Sequence, residues 1–143
     1  IRGYMEENEC NAHIITSLDD IAWTFNIRGK DIPHSPMAMA FSIITLDNAY
    51  LYLQDGTYDE TMIEAYKNDG VEIRSYDDIY LDTKRLSGQV LVDLSAINYA
   101  IYSFIDCEIM DGSNPSQYFK SIKSDIEIEN TKHAHLKRWC GND

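Results

Sequence analysis

Residues 37–54 constrain this chain more than any other stretch. Met37–Leu46 and Ala49–Gln54 are two β-rich arms separated by Asp47-Asn48, a pair that tolerates left-handed backbone, so the spacing predicts a β-hairpin. Both arms carry apolar residues on both faces, with Phe41 beside Ile43 and Ile44, and Tyr50 and Tyr52 alternating with Leu51 and Leu53. Strands of that kind are covered on both sides, as in a layered α/β domain.

Ser17–Pro36 is the second organising segment. Ser17 is placed to cap the amide of Asp20, and Asp19 and Asp20 set negative charge on the positive end of a helix dipole. Leu18, Ile21, Ala22 and Phe25 recur at helical spacing. Gly29 offers a residue able to take positive φ beyond the last turn, and Pro33 and Pro36 keep the helix from resuming. A short helix thus delivers a polar loop, Arg28 to Ser35.

The remaining chain alternates strand and helix patterns. Residues 1–9 read as the tail of a helix and His13–Thr16 as a strand. Asp59–Asn68 reads as a helix with Met62, Ile63 and Tyr66 facing inward and Gly70 as its stop. Val71–Tyr76 alternates as a strand does, Asp77–Leu86 is helical, and Gln89–Leu94 is a buried strand. Ser95 opens a helix carrying Ile97, Ala100, Ile101 and Phe104, and Cys107–Met110 is a last short strand. Asn114-Pro115 starts a helix running to about Lys123, and Ser124–Glu127 is a capping box for a final helix towards Trp139. The class is α/β with a mixed sheet: parallel crossovers and one antiparallel pair.

At 143 residues the chain suits one domain, and its net charge of −12 argues against nucleic-acid or anionic-membrane partners. No apolar run is long enough to span a bilayer. The N-terminus does not read as a signal peptide, and without an initiator methionine the chain is expected to be a piece of something longer. Cys10, Cys107 and Cys140 have no C-x-x-C spacing and read as reduced thiols of a cytoplasmic protein.

Chemistry-bearing motifs are sparse. His133 and His135 stand two apart on a helix and point to nearly opposite sides, so they cannot chelate one ion. Asp19-Asp20 and Asp77-Asp78 sit at helix starts, where dipole complement explains them. No G-x-S-x-G and no glycine-rich phosphate loop occurs; Cys10 with His13 is the nearest thing to a nucleophile and its base. The loop of Arg28, Lys30, Asp31 and His34 remains. Either it is a connection in which Arg28 and Asp31 pair with each other or with backbone, or it faces a neighbouring domain or a substrate entrance.

At this loop a family resemblance emerges. Thr16–Pro36 reads T-S-L-D-D-I-A-W-T-F-N-I-R-G-K-D-I-P-H-S-P. It closely resembles the L-D-[DE]-I-A-W-x-x-N-[IL]-R-G-x-D-[IV]-x-x-[NS]-P segment of Xaa-Pro aminopeptidases (aminopeptidase P), the three-domain form within the creatinase/prolidase superfamily. Ile43–Asp47 and Tyr50–Leu53 resemble that family's next hairpin. Asn114-Pro115 and Ile122–Lys137 resemble its N-P-x…K-[AS]-x-K-x-x-x-E-[IL]-E-x-x-[RK]-x-A-H-[IL]-[KR] linker. The likeness covers about residues 12–138 and is weak between 55 and 110. Where the family continues with Asp-Gly and an apolar helix, this chain reads Arg138-Trp-Cys-Gly-Asn-Asp143.

The resemblance implies a three-layer α/β/α domain with a mixed, ribonuclease-H-like sheet. In that family two non-catalytic domains precede a catalytic domain with two metal ions, usually manganese, on two Asp, one His and two Glu. Those ligands lie downstream of the segment that Glu127–Lys137 resembles. Residues 1–123 therefore resemble the middle, non-catalytic domain, and residues 124–143 a linker helix at the start of an absent catalytic domain. No catalytic or metal-binding residue is expected here, and the fragment alone is expected to be inactive. The implied partners are a catalytic domain of the same chain and a proline-containing peptide, in a parent that can be a homodimer. Arg28, Asp31 and His34 are the residues expected to face the substrate entrance or the adjoining domain. A rival reading is a stand-alone binding module that kept the fold without the enzyme, which the divergent end favours.

Overall fold

A computed structural model describes residues 1–140, apart from the side chains of residues 138–140. In chain order the elements are α1 (Arg2–Glu7), β1 (Ala12–Ile15), α2 (Leu18–Thr24), β2 (Ala40–Thr45) and β3 (Ala49–Leu53), then α3 (Glu60–Asn68), β4 (Val71–Ser75), α4 (Asp78–Lys84) and β5 (Gln89–Val92). They end with α5 (Tyr99–Tyr102), β6 (Glu108–Asp111), α6 (Pro115–Ser121) and α7 (Asp125–Cys140). The strands form one six-stranded sheet in the order β4-β3-β2-β1-β5-β6.

Strand β2 is antiparallel to both neighbours, whereas β1–β5, β5–β6 and β3–β4 are parallel. The sheet thus has two antiparallel ladders where the sequence suggests one. Helix α2 is only seven residues long, and the loop after it carries the chain back to the end where β1 stops. From there β2 can only run down beside β1.

Side chains alternate across the sheet and fill two cores. On one face Ile15, Ile44, Leu51, Leu53 and Leu91 meet Met5 of α1, Ile21 of α2, and Met62 and Tyr66 of α3. On the other, Ile14, Phe41, Ile43, Tyr52, Val90 and Val92 meet Ile79 of α4 and Ile101 of α5. Helices on both faces of a mixed sheet make the three-layer α/β/α arrangement.

Several local readings are corrected. Ser17 makes no cap bond; its hydroxyl donates to Asp19 Oδ1 at 2.5 Å. The left-handed residue after α2 is Asn26, at φ 50°, and Gly29 serves a different need. A Cβ on Gly29 would lie 2.6 Å from Ala38 Cα, so the glycine admits the returning backbone. Neither Asp47 nor Asn48 takes positive φ; the hairpin closes through Thr45, whose hydroxyl accepts from Asn48 N at 2.9 Å. Asn98, not Ser95, caps α5 by accepting from Ile101 N at 2.8 Å, while Ser95 turns back onto Asp93. Ile63 is exposed rather than inward-facing.

The capping box forms as read: Ser124 N donates to Glu127 Oε2 at 2.8 Å, and Glu127 N to Ser124 Oγ at 3.3 Å. Beyond it, every residue from 125 to 137 is exposed.

Candidate functional site

Helix α2 and the loop after it wall one side of a cleft of about 280 Å³, lined by Asp19, Ala22, Trp23, Arg28, Pro36, Met37 and Lys120. The loop is closed on itself by local bonds. Gly29 N donates to Pro36 O at 3.2 Å, and Ser35 N to Ile32 O at 3.1 Å. Residues 37–39 lie outside the strand, and β2 starts only at Ala40.

Arg28 is the one residue of the expected trio that lines the cleft. Its Nη1 donates to Ala22 O and Ile27 O, both at 2.9 Å, placing a cation on the negative end of α2. Asp31 is occupied elsewhere, with Oδ2 accepting from Met39 N at 2.7 Å. His34 lies exposed in the Ile32–Ser35 turn at φ 64°. Of the two readings of this loop, the structure shows Arg28 and Asp31 bonded to backbone, not to each other. Across the cleft Lys120 Nζ lies 2.6 Å from Asp19 Oδ2, and the ammonium, with Ser17 next, holds the Asp19 carboxyl below the usual carboxylate range.

His13, Asn114 and Asp20, each marked in the sequence for a different reason, meet in a buried polar cluster. His13 of β1 is fully buried, with Nδ1 3.0 Å from Leu91 O and Nε2 3.0 Å from Asn114 Oδ1. Asn114 Oδ1 also accepts from Ser116 N at 3.2 Å, capping α6. The Leu91 carbonyl only accepts, so Nδ1 carries a proton. Asn114 can offer its amide N–H to Nε2 only by withdrawing Oδ1 from Ser116. Burial and hydrogen bonding therefore pull the ring in opposite directions. Burial prevails and pushes the imidazole below its ordinary value. Asp20 is buried nearby, with Oδ2 3.4 Å from Gln117 Nε2 and Oδ1 3.9 Å from Lys120 Nζ. A lone histidine in an otherwise apolar buried strand was the available signal; its partner, 101 positions on, was not visible.

Cys10 is buried and faces Asn8 O and Gln89 Oε1, and desolvation raises its thiol, which favours the protonated form. Among the described residues no group of three or more His, Cys, Asp or Glu is placed to hold a metal ion. The arrangement can do recognition: Trp23, Pro36 and Met37 offer apolar surface beside the Arg28 cation.

Comparison with known proteins gives this architecture its place. The profile of the creatinase/prolidase N-terminal domain family matches residues 1–127. The chain belongs to that family. This creatinase/prolidase N-terminal domain is 27% identical to aminopeptidase P1 of Arabidopsis thaliana, over 96% of the chain and 26% of the relative. It is 30% identical to a Xaa-Pro aminopeptidase of Caenorhabditis elegans, over 96% of the chain and 24% of the relative. It thus spans about a quarter of the length of these curated relatives. The crystal structure of the X-prolyl aminopeptidase from C. elegans, described as a cytosolic enzyme with a di-nuclear active site, superposes with a TM-score of 0.84. That match has 26% identity over 95% of this chain and 24% of that one. A Xaa-Pro dipeptidase from Bacillus anthracis shares the fold alone, at a TM-score of 0.62 and 18% identity, over 90% of this chain and 36% of that one.

Proposed function

We propose that this domain is the non-catalytic part of a proline-specific aminopeptidase and shapes the way to a di-nuclear metal site carried elsewhere in a longer protein. The observation that carries the reading is α7. It is a 16-residue helix whose residues 125–137 are all exposed, with Ile126, Ile128 and Leu136 bare to solvent. A helix owes most of its stability to tertiary packing, so this one calls for a covering body. The exposed Tyr118, Phe119 and Ile122 extend the apolar surface onto α6 and the junction after it.

In this reading that body is a catalytic domain in the part of a longer protein that this chain, spanning about a quarter of its relatives, does not include. Residues 1–123 then form the domain and α7 is the linker helix, residues 141–143 lying outside those described. The metal ions, two manganese in this reading, are held by the catalytic domain and supply activated water for attack on the amide preceding proline. This domain contributes walls and charge. Arg28 faces the peptide or the adjoining domain from the α2 cleft, with Asp31 and His34 shaping the loop behind it. The enzyme works in the cytosol, like its C. elegans relative.

Replacing the corresponding domain of the C. elegans enzyme by this chain tests the proposal. The chimaera is expected to hydrolyse Xaa-Pro peptides with manganese, and Arg28→Ala to raise KM more than it lowers kcat. The 143-residue chain alone is expected to show no turnover. Turnover by the chain alone, or a folded chimaera without activity, would overturn the reading.

A further inference from the structure

Strand β4 ends the sheet, and among the described residues nothing pairs with its outer edge. We propose that this edge pairs with the β4 of a second copy of the chain, antiparallel about Ile73, joining two six-stranded sheets into one. Strand Val71-Glu72-Ile73-Arg74-Ser75 is self-complementary about its centre. Laid antiparallel on itself it sets Ile73 against Ile73, Glu72 against Arg74, and Val71 against Ser75. Edge strands are often guarded by charge, because like charges repel an incoming copy. Here opposite charges stand one residue either side of the centre, and directly opposed unlike charges attract.

The charges are also held in place beforehand. Arg74 Nε lies 2.8 Å from Glu72 Oε1, its Nη1 lies 2.6 Å from Asp82 Oδ2, and its guanidinium sits 4.0 Å from the centre of the Tyr50 ring. Pairing of two copies extends the Glu72–Arg74 contact into a ladder of four alternating charges.

The flanking helices leave the edge open. Grooves of about 510 and 660 Å³ run along the strand, with Ile63 of α3 39% and Leu81 of α4 56% exposed beside them. A two-fold axis normal to the sheet keeps like faces together, so α3 approaches α3 and α4 approaches α4 of the copy. Asp78 and Arg85 line the same groove about one turn either side of Leu81. Antiparallel copies of α4 therefore also set Asp78 against Arg85, with Leu81 between. Strand and helix carry the same self-complementary order of charge, apolar centre and opposite charge. A second copy fits this edge better than any partner of single-signed charge.

This pairing does not depend on the proposed function. Sedimentation velocity of the 143-residue chain is expected to show a dimer that grows with concentration. Glu72→Lys, at an exposed position, sets like charges opposite each other, and Leu81→Glu does so at the helix pair. Each is expected to weaken dimerisation at least about tenfold while leaving the melting temperature of the dilute, monomeric chain unchanged. A chain that stays monomeric to about 1 mM overturns the proposal. So does a dimer indifferent to both substitutions, or one dissolved by Ile126→Asp on α7 instead.

Discussion

His13 Nε2 lies 3.0 Å from Asn114 Oδ1, so an inner strand and the start of α6 are joined across 101 positions of chain. The same oxygen caps α6 through Ser116 N. Replacing Asn114 by Ala removes the cap of α6 and the side chain that fills the space beside buried His13 Nε2. The expected loss is about 1–2 kcal/mol in chemical denaturation, from the lost cap. An unchanged midpoint would show that the junction carries no stability.

The burial of His13 makes stability depend on pH. In the unfolded chain the imidazole takes up a proton near its ordinary value of about 6.5, whereas in the folded domain burial holds it lower. Below that value the unfolded state binds more protons. Stability is therefore full above about pH 6.5 and falls as pH drops towards the folded value. Urea midpoints between pH 8 and 5 are expected to decline more steeply for the natural chain than for His13→Gln; parallel curves would refute the assignment.

Gly29 is needed for space. With Ala38 Cα 2.6 Å from the position a Cβ would take, Gly29→Ala pushes the Arg28–Ser35 loop away from the strand entrance. A cost of about 1–3 kcal/mol is expected, as for other overpacked sites. Equal stability of the two proteins would mean that the loop yields freely.

On the opposite face Tyr52 is fully buried, and its hydroxyl donates to Asp82 Oδ2 at 2.9 Å, the oxygen that also holds Arg74. Burial and the carboxylate hold the phenol far above its ordinary pKa, so it stays a donor. Tyr52→Phe is expected to cost about 1.5–3 kcal/mol, the range for a hydrogen bond to a charged group. A calorimetric melt indistinguishable from the natural chain would contradict this.

Hydrogen exchange on the isolated chain separates the helices. Amides of residues 125–137 are expected to exchange within the dead time of a manual experiment, and those of β1 and β2 slowest of all. Strong protection throughout α7 in the monomer would mean that it needs no covering body.

Much of the fold was legible because its signals are local. The hairpin arms, the Ser124–Glu127 box and the Asn114-Pro115 start each rest on residues within a few positions of one another. Where two residues could meet the same local need, the reading chose wrongly: Ser95 for Asn98 as a cap, Gly29 for Asn26 as the left-handed residue. Ala38 crowds Gly29, whereas the Ser95 hydroxyl is already taken by Asp93. Of the candidate site, the Arg28–Ser35 loop was found, but its three chosen residues part company: Arg28 lines the cleft, Asp31 holds Met39 N, and His34 stays in its turn.

The sequence by itself determined the α/β class, nearly every element and the family, since periodicity, caps and a long contiguous motif survive without tertiary context. Only the tertiary structure decided that β2 opposes both neighbours, that β4 is left as an open edge, and that His13 finds Asn114. Those facts depend on where a loop returns the chain and on contacts between residues far apart in sequence. No local pattern encodes them, because the free energy that selects them arises only when the layers pack.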